Sequence, residues 1–293
     1  MGARDDIPVP ALRPLPDASR EYVFAPADFE RVRRMIYARA GINLNETKQN
    51  MVYSRLSRRL RASGIESFSD YLDRLDRDSA FAAGEEQEFI NALTTNLTSF
   101  FREPHHFPVL TEFLRTRPDG NSLRLWCAAA STGEEPYSLA MTLIEALGAN
   151  TGARLLATDI DTNVLATAAR GVYRLDGARG CGEDRLKRFF LRGRGDNDGM
   201  VRVRPELTRL VDFAGLNLLH EHWPELRSFA AQLDVVFCRN VMIYFDKPTQ
   251  RQILGRIAQL LKPGGLLFVG HSENFTDCRD WYTLRGKTVY ERH

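Results

Sequence analysis

The chain has 293 residues, enough for one large domain beside a smaller one and for a core that needs no disulfide or metal staple. With 43% hydrophobic and 27% charged residues it has ordinary globular composition, and 40 basic against 38 acidic residues (+2) selects no nucleic-acid or membrane partner. No apolar run approaches the ~20 residues of a bilayer span, Asp5, Asp6 and several prolines stand where a secretory leader would be apolar, and the four cysteines lack metal-ligand spacing, so a reduced cytoplasmic location without metal is expected.

Residues 1–22, rich in Pro, Asp and Arg without periodicity, are expected to form a poorly ordered tail. From 23 to 95 the pattern is helical. Phe29, Val32 and Ile36 share a stripe that Gly41 ends, Asn45 is placed to cap a second helix, and Gly64 is placed to stop it. Two or three further helices follow through Tyr71, Leu72 and Leu75, then Phe89, Ile90 and Leu93.

From 96 to 293 the texture changes. Apolar runs (Leu123–Ala129, Arg154–Ile160, Leu233–Cys238, Leu266–Gly270) alternate with helical patterns (Glu134–Leu147, Asn163–Arg170, Pro248–Leu261). That alternation predicts an α/β fold whose parallel sheet is covered on both faces. Trp281–Arg285 and Thr288–Glu291 predict a closing hairpin on the sheet edge. A stretch of about 172–210 breaks the alternation with a charged helix (Glu183–Leu191), a loop spaced by Gly193, Gly195 and Gly199, and a strand, Met200–Arg204. It reads as an inserted β-rich subdomain.

Three strand ends carry polar residues suited to a ligand crevice. Ser131-Thr132-Gly133 offers a tight turn, but Glu134 and Glu135 open the next helix and make it a poor phosphate cradle. Those acids equally fit a solvated capping box. Asp159 ends the second strand and suits ribose hydroxyls, which leaves Asp161 to cap a helix. Arg239 and Asn240 end the third, where buried polar groups are costly without a partner, and Tyr244 follows closely.

Four segments, Asn96–Glu103, Trp126–Ser138, Phe237–Asp246 and Gly270–Phe275, together resemble the CheR family of S-adenosyl-L-methionine-dependent chemoreceptor glutamate methyltransferases. The likeness runs from about Phe24 to Tyr290. It implies a small all-helical N-terminal domain followed by a Rossmann-like class I methyltransferase sheet with an inserted antiparallel β-subdomain. It further implies cofactor contacts from Asn96, Thr98, Arg102, Glu135, Asp159, Asn217, Leu218, Arg239 and Asn240, with Tyr244 on the substrate side. The single glycine of the turn departs from G-x-G-x-x-G and disfavours NAD.

A glutamate titrating near pH ~4.3 is already ionised at neutral pH, so transfer of a methyl group to it needs no general base. Arg102 then suits the methionyl carboxylate of the cofactor, and Tyr244 can orient the incoming glutamate. Arg102 and Tyr244 are the catalytic candidates. His105 and His106 fit a helix start at least as well as a chemical role, and His271 receives no catalytic role.

Lys48, Arg55, Arg58, Arg59 and Arg61 lie on an acid-free helix, mostly off the stripe of Val52, Leu56 and Leu60. A solvated face is the ordinary outcome. The resemblance favours docking to the cytoplasmic helical bundle of methyl-accepting chemoreceptors. The inserted strand, with Val201 and Val203 beside the glycine-spaced loop, is expected to offer an edge to a receptor C-terminal peptide. The product expected is S-adenosyl-L-homocysteine, and no feature demands more than a monomer. A class I enzyme acting on RNA and a non-catalytic receptor-binding scaffold are the competing possibilities.

Overall fold

The computed structural model describes residues 20–117, 122–275 and 278–293. Most of the tail expected over 1–22 lies outside the described residues. Tyr22 packs edge-on against Phe68, with ring centroids 6.2 Å apart.

Four helices come first: α1 (Pro26–Ala40), α2 (Gln49–Ser63), α3 (Phe68–Arg77) and α4 (Ser79–Leu93). Their apolar stripes meet in one core built from Val32, Ile36, Leu56, Leu60, Tyr71, Leu72 and Phe89. Gly41 and Gly64 end α1 and α2 in the left-handed conformation, at φ 68° and 66°. Asn45 precedes only a short 3₁₀ turn, Glu46–Lys48, and its side chain caps nothing there.

The second part runs through α5 (His106–Arg115), β1 (Arg124–Cys127), α6 (Glu134–Leu147), β2 (Arg154–Asp159) and α7 (Thr162–Arg170). The inserted segment holds β3 (Val172–Arg174), α8 (Leu175–Ala178), α9 (Glu183–Phe189), β4 (Phe190–Arg192), β5 (Met200–Val203) and α10 (Pro205–Thr208). Then come β6 (Val211–Gly215), α11 (Pro224–Phe229), β7 (Leu233–Phe237), α12 (Lys247–Leu260), β8 (Leu261–Phe268), β9 (Tyr282–Gly286) and β10 (Val289–Arg292).

The main sheet has the order β6-β2-β1-β7-β8-β10-β9, parallel from β6 to β8, with β10 antiparallel to both of its neighbours. The strand order reverses at β1, so the loops after β1 and β7 diverge and leave a crevice at the carboxyl ends. Alternate strand residues feed two cores. Leu125, Cys127, Leu155, Val235 and Phe237 face α5 and α6, whereas Trp126, Leu156, Val236 and Leu267 face α12. The fold is a Rossmann-like α/β sheet.

The insertion corrects one expectation. Its three-stranded antiparallel sheet has the order β3-β5-β4, so β5 is paired on both sides and has no free edge. Val201 and Val203 point into the core and are buried. Leu191, expected at the end of a helix, lies in β4, an edge strand, and is 44% exposed. The loop glycines are required by the β4–β5 turn: a Cβ on Gly193 would stand 2.0 Å from the Asn197 carbonyl oxygen, and Gly195 and Gly199 have φ of +59° and +77°.

Candidate active site

A cavity of about 210 Å³ lies between the helical layer and the carboxyl ends of the parallel strands. Asn96, Thr98, Arg102, Glu135, Asp159, Asn217, Leu218, Arg239, Asn240 and Tyr244 all line it. Its roof comes from the segment after α1 and from the linker after α4, and it includes Ile42, Lys48, Met51 and Thr94.

The linker is fastened to the strand ends through two aspartates. Asp161 caps α7, its Oδ1 accepting from the Asn163 and Val164 amides at 2.9 and 3.3 Å. Its Oδ2 accepts from Thr94 Oγ1 at 2.6 Å and from Asn96 Nδ2 at 2.7 Å. The Asn96 amide group is thus committed within the protein, leaving its oxygen for a ligand. Asp159 accepts from the Ser131 amide at 2.8 Å and the Asp161 amide at 3.0 Å. Burial raises its carboxyl above the ordinary range despite these bonds. A carboxylate has about four acceptor positions, so each oxygen keeps one for ligand hydroxyls. No side chain caps α6, because Gly133 at φ 99° occupies that position and Glu134 bonds Thr132 instead.

Beneath the cavity Arg239 is buried between two acids. It pairs with Glu135 and, at 3.2 Å, with Glu103, and it donates to the Arg102 carbonyl at 2.7 Å. Glu103 also accepts from Asn240 Nδ2 at 3.2 Å and meets His271 Nδ1 at 3.1 Å. Burial alone would raise the Glu103 carboxyl, but the His271 hydrogen bond and the Arg239 charge lower it to about 2. His106 is buried beside this group, with Nε2 at 2.9 Å from the Lys287 carbonyl oxygen. Burial and the Arg239 charge lower it to about 4, so it is neutral at physiological pH.

Two acids here escaped assignment in the sequence. Glu103 stood in a motif without a role. Glu273, also buried, accepts from the Asn240, Met242 and Gly270 amides at 3.0, 2.9 and 2.6 Å and so shapes the loop after β7. Asn240 itself has φ 58°. A Gly-His-Ser-Glu run directly after a core strand was the available signal, because a glutamate there can reach back to the neighbouring strand's loop.

Arg102 differs from Arg239. Its Nη1 donates to the Leu97 carbonyl at 2.7 Å, and among the described residues no carboxylate pairs with it.

The roof is held by specific contacts. Asn217 Nδ2 donates to the Arg39 carbonyl at 2.7 Å, and the Asn43 amide donates to the Tyr244 carbonyl at 2.9 Å. Gly41 allows close approach, since a Cβ there would stand 2.8 Å from Leu219 Cδ2 and 2.9 Å from the Phe245 ring.

The basic helix is partly engaged within the protein. Arg59 grips both oxygens of Glu85 at 2.8 and 2.7 Å. Arg55 donates to the Ala92 carbonyl at 3.3 Å and to the Thr94 carbonyl. Both side chains therefore bind α4 and its exit. Arg61 pairs with Glu21 at 3.2 Å. Lys48 and Arg58 remain exposed, and Lys48 lines the cavity.

A family model described as "CheR methyltransferase, SAM binding domain" matches residues 96–290, and "CheR methyltransferase, all-alpha domain" matches 27–94. The chain belongs to the CheR methyltransferase family. It is similar to the chemotaxis protein methyltransferase of Klebsiella aerogenes, 55% identical over 90% of this chain and 89% of that one. The chemotaxis protein methyltransferase of Escherichia coli is 52% identical over 90% of each chain. Chemotaxis protein methyltransferase 2 of Pseudomonas aeruginosa is 51% identical over 93% of this chain and 95% of that one. This CheR family member is thus an S-adenosylmethionine-dependent methyltransferase. The cavity suits that cofactor chemically: Arg102, without a carboxylate partner among the described residues, matches an amino-acid carboxylate, and Asp159 retains acceptor positions for ribose hydroxyls. Among the described residues no helix is long and apolar enough to cross a membrane.

Proposed function

We propose that the enzyme esterifies glutamate side chains of chemoreceptors, producing glutamate 5-O-methyl esters and S-adenosylhomocysteine for chemotactic adaptation. One observation carries the chemistry: Arg102 lines the cavity with no carboxylate partner among the described residues, while the neighbouring Arg239 is neutralised by Glu103 and Glu135. Residues 23–95 and 96–293 act as two domains that share the site.

In this reading Arg102 receives the amino-acid carboxylate of the cofactor, and Asp159 accepts from its ribose hydroxyls. Glu135 and Asn240 supply further polar contacts, and Asn217-Leu218 bound the adenosyl side. When bound, S-adenosylmethionine supplies a methyl group activated by its sulfonium. The receptor glutamate would enter already ionised and take the methyl group, the sulfur leaving as a neutral thioether. No proton moves. Tyr244 orients the glutamate with one hydrogen bond, and the roof excludes water, which favours a step in which opposite charges disappear together.

The receptor's helical bundle would meet Lys48 and Arg58 together with Leu97 and Ile243, which are 79% and 52% exposed. A receptor C-terminal peptide would add to the free edge of β4 beside Leu191, with Arg188, Arg192 and Arg194 nearby to favour an acidic sequence. Such a tether raises local substrate concentration without altering the chemistry.

Labelled S-adenosylmethionine incubated with the protein and receptor-rich membranes tests this directly. Alkali-labile label on receptor protein is the expected result. Label in RNA instead, or cofactor binding without transfer to receptor, would overturn it.

A further inference from the structure

The cation lining the cavity stands on a strained turn. Phe101 and Glu103, on either side of Arg102, both have φ of 53°, a conformation that non-glycine residues adopt only when their surroundings hold them there. Phe101 is fastened through its amide, which donates to Ser138 Oγ at 3.0 Å. Arg102 is fastened through its carbonyl, which accepts from Arg239 Nη2 at 2.7 Å. Glu103 is fastened through its side chain. Its Oε1 faces Asn240 Nδ2 at 3.2 Å and His271 Nδ1 at 3.1 Å, while its Oε2 faces Arg239 Nη2 at 3.2 Å.

We infer that Glu103 is a positioning residue for the amino-acid end of the cofactor: it ties the Phe101–Glu103 turn to Asn240 and His271 by hydrogen bonds and to Arg239 by an ion pair, and so presents Arg102 to the cavity. This rests on Arg102 receiving the cofactor carboxylate, as proposed above. The partners come from different segments, Arg239 and Asn240 after β7 and His271 after β8, so one side chain joins the turn to two strand ends. Two hydrogen-bonding groups meet Oε1, while the buried Oε2 lies against the Arg239 guanidinium as an ion pair without a hydrogen bond, an arrangement that suits a carboxylate. An amide of the same shape must turn its NH₂ toward one side or the other. The low carboxyl pKa of about 2 keeps this arrangement intact across the working range of pH. Glu135 cannot substitute, because it meets Arg239 through the other guanidinium nitrogen, Nη1, and touches neither Asn240 nor His271.

Calorimetric titration with two ligands separates positioning from general damage. S-adenosylhomocysteine has the amino-acid carboxylate, whereas 5′-methylthioadenosine has the same adenosyl thioether without it. Glu103→Gln is expected to weaken S-adenosylhomocysteine about tenfold or more and to leave 5′-methylthioadenosine within about twofold. Glu103→Asp keeps the charge but retracts from its donors, and it is expected to show a smaller loss with the same selectivity. Equal loss of both ligands, or no loss of either, in whichever variant folds would overturn the assignment. Arg102→Ala run alongside identifies which proposal has failed. If it leaves the preference for S-adenosylhomocysteine unchanged, the role of Arg102 itself is wrong. If it abolishes that preference while both Glu103 variants keep it, only the positioning role is wrong.

Discussion

Arg59→Ala separates a structural arginine from a docking arginine. The guanidinium meets both oxygens of Glu85, at 2.8 and 2.7 Å, and Glu85 takes a third hydrogen bond from the Tyr71 hydroxyl at 2.9 Å. The Glu85 side chain is only 9% exposed, against 24% for Arg59. Truncation leaves a nearly dry carboxylate with a single neutral donor. Each charge-assisted bond contributes roughly 1.5–3 kcal/mol, and breaking a buried pair costs about 3–5 kcal/mol. Water can enter where the partly exposed arginine stood, so the lower part of that range applies. The expected destabilisation is about 3 kcal/mol, about two decades in the unfolding constant. Arg58→Ala, on the exposed side of the same helix, is expected to stay within about 0.5 kcal/mol of the parent. Urea unfolding of the two variants reads the difference, and receptor methylation at two salt concentrations reads docking. Salt-sensitive loss of receptor methylation by Arg59→Ala at unchanged stability would refute the structural role and return this arginine to the receptor face.

Three further outcomes are expected. His106 has its pKa lowered to about 4 by burial and the Arg239 charge, against about 6.5 when unfolded, so its contribution is present above pH ~6.5 and is lost as pH falls toward 4. Between pH 7 and 5 the parent should lose about 2 kcal/mol from this group, and His106→Gln should remove that slope from urea midpoints measured at the two pH values. Gly41→Ala, which must hold φ +68° and push against Leu219 and Phe245, should cost about 2–3 kcal/mol and weaken S-adenosylhomocysteine binding. A variant as stable as the parent would mean that the roof contact is slack. Tyr244→Phe should lower turnover about tenfold while leaving S-adenosylhomocysteine affinity within about twofold, and unchanged turnover would make this tyrosine packing only.

The elements most legible in the sequence were those whose period and terminators agreed. Glycine stops at Gly41 and Gly64 frame α1 and α2, and short, mostly apolar runs mark β1, β2 and β7. β6 is not legible, because Val211–Gly215 mixes Asp212 and Gly215 into a short segment whose strand character comes from pairing with β2. β5 was legible as a strand, but its two neighbours are short, and whether a strand is central or at an edge depends on pairing that its own residues do not encode. The cavity residues were recovered together through the family resemblance, whereas the roles of Arg55 and Arg59 were not. Their partners, the Thr94 carbonyl and Glu85, lie more than twenty positions away in the chain, and a basic stripe looks the same whether it faces water or a neighbouring helix's acid.

Both parts of the chain line the cavity, and the electrostatics of the proposed reaction explain why. Glutamate and sulfonium react by losing opposite charges, so water, which stabilises both when separate, holds the reaction back. A cleft at the ends of β1 and β7 alone would be open to solvent. The helical layer closes it through the Asn217–Arg39 and Asn43–Tyr244 hydrogen bonds. Closure also carries a risk, because a buried charge left without a counter-charge is costly. The buried Arg239 meets that risk by standing between Glu103 and Glu135, each held in place by further contacts. In the proposed reading Arg102 is then free to hold one end of the cofactor, and the reacting centre would have oriented dipoles and the Tyr244 ring in place of solvent.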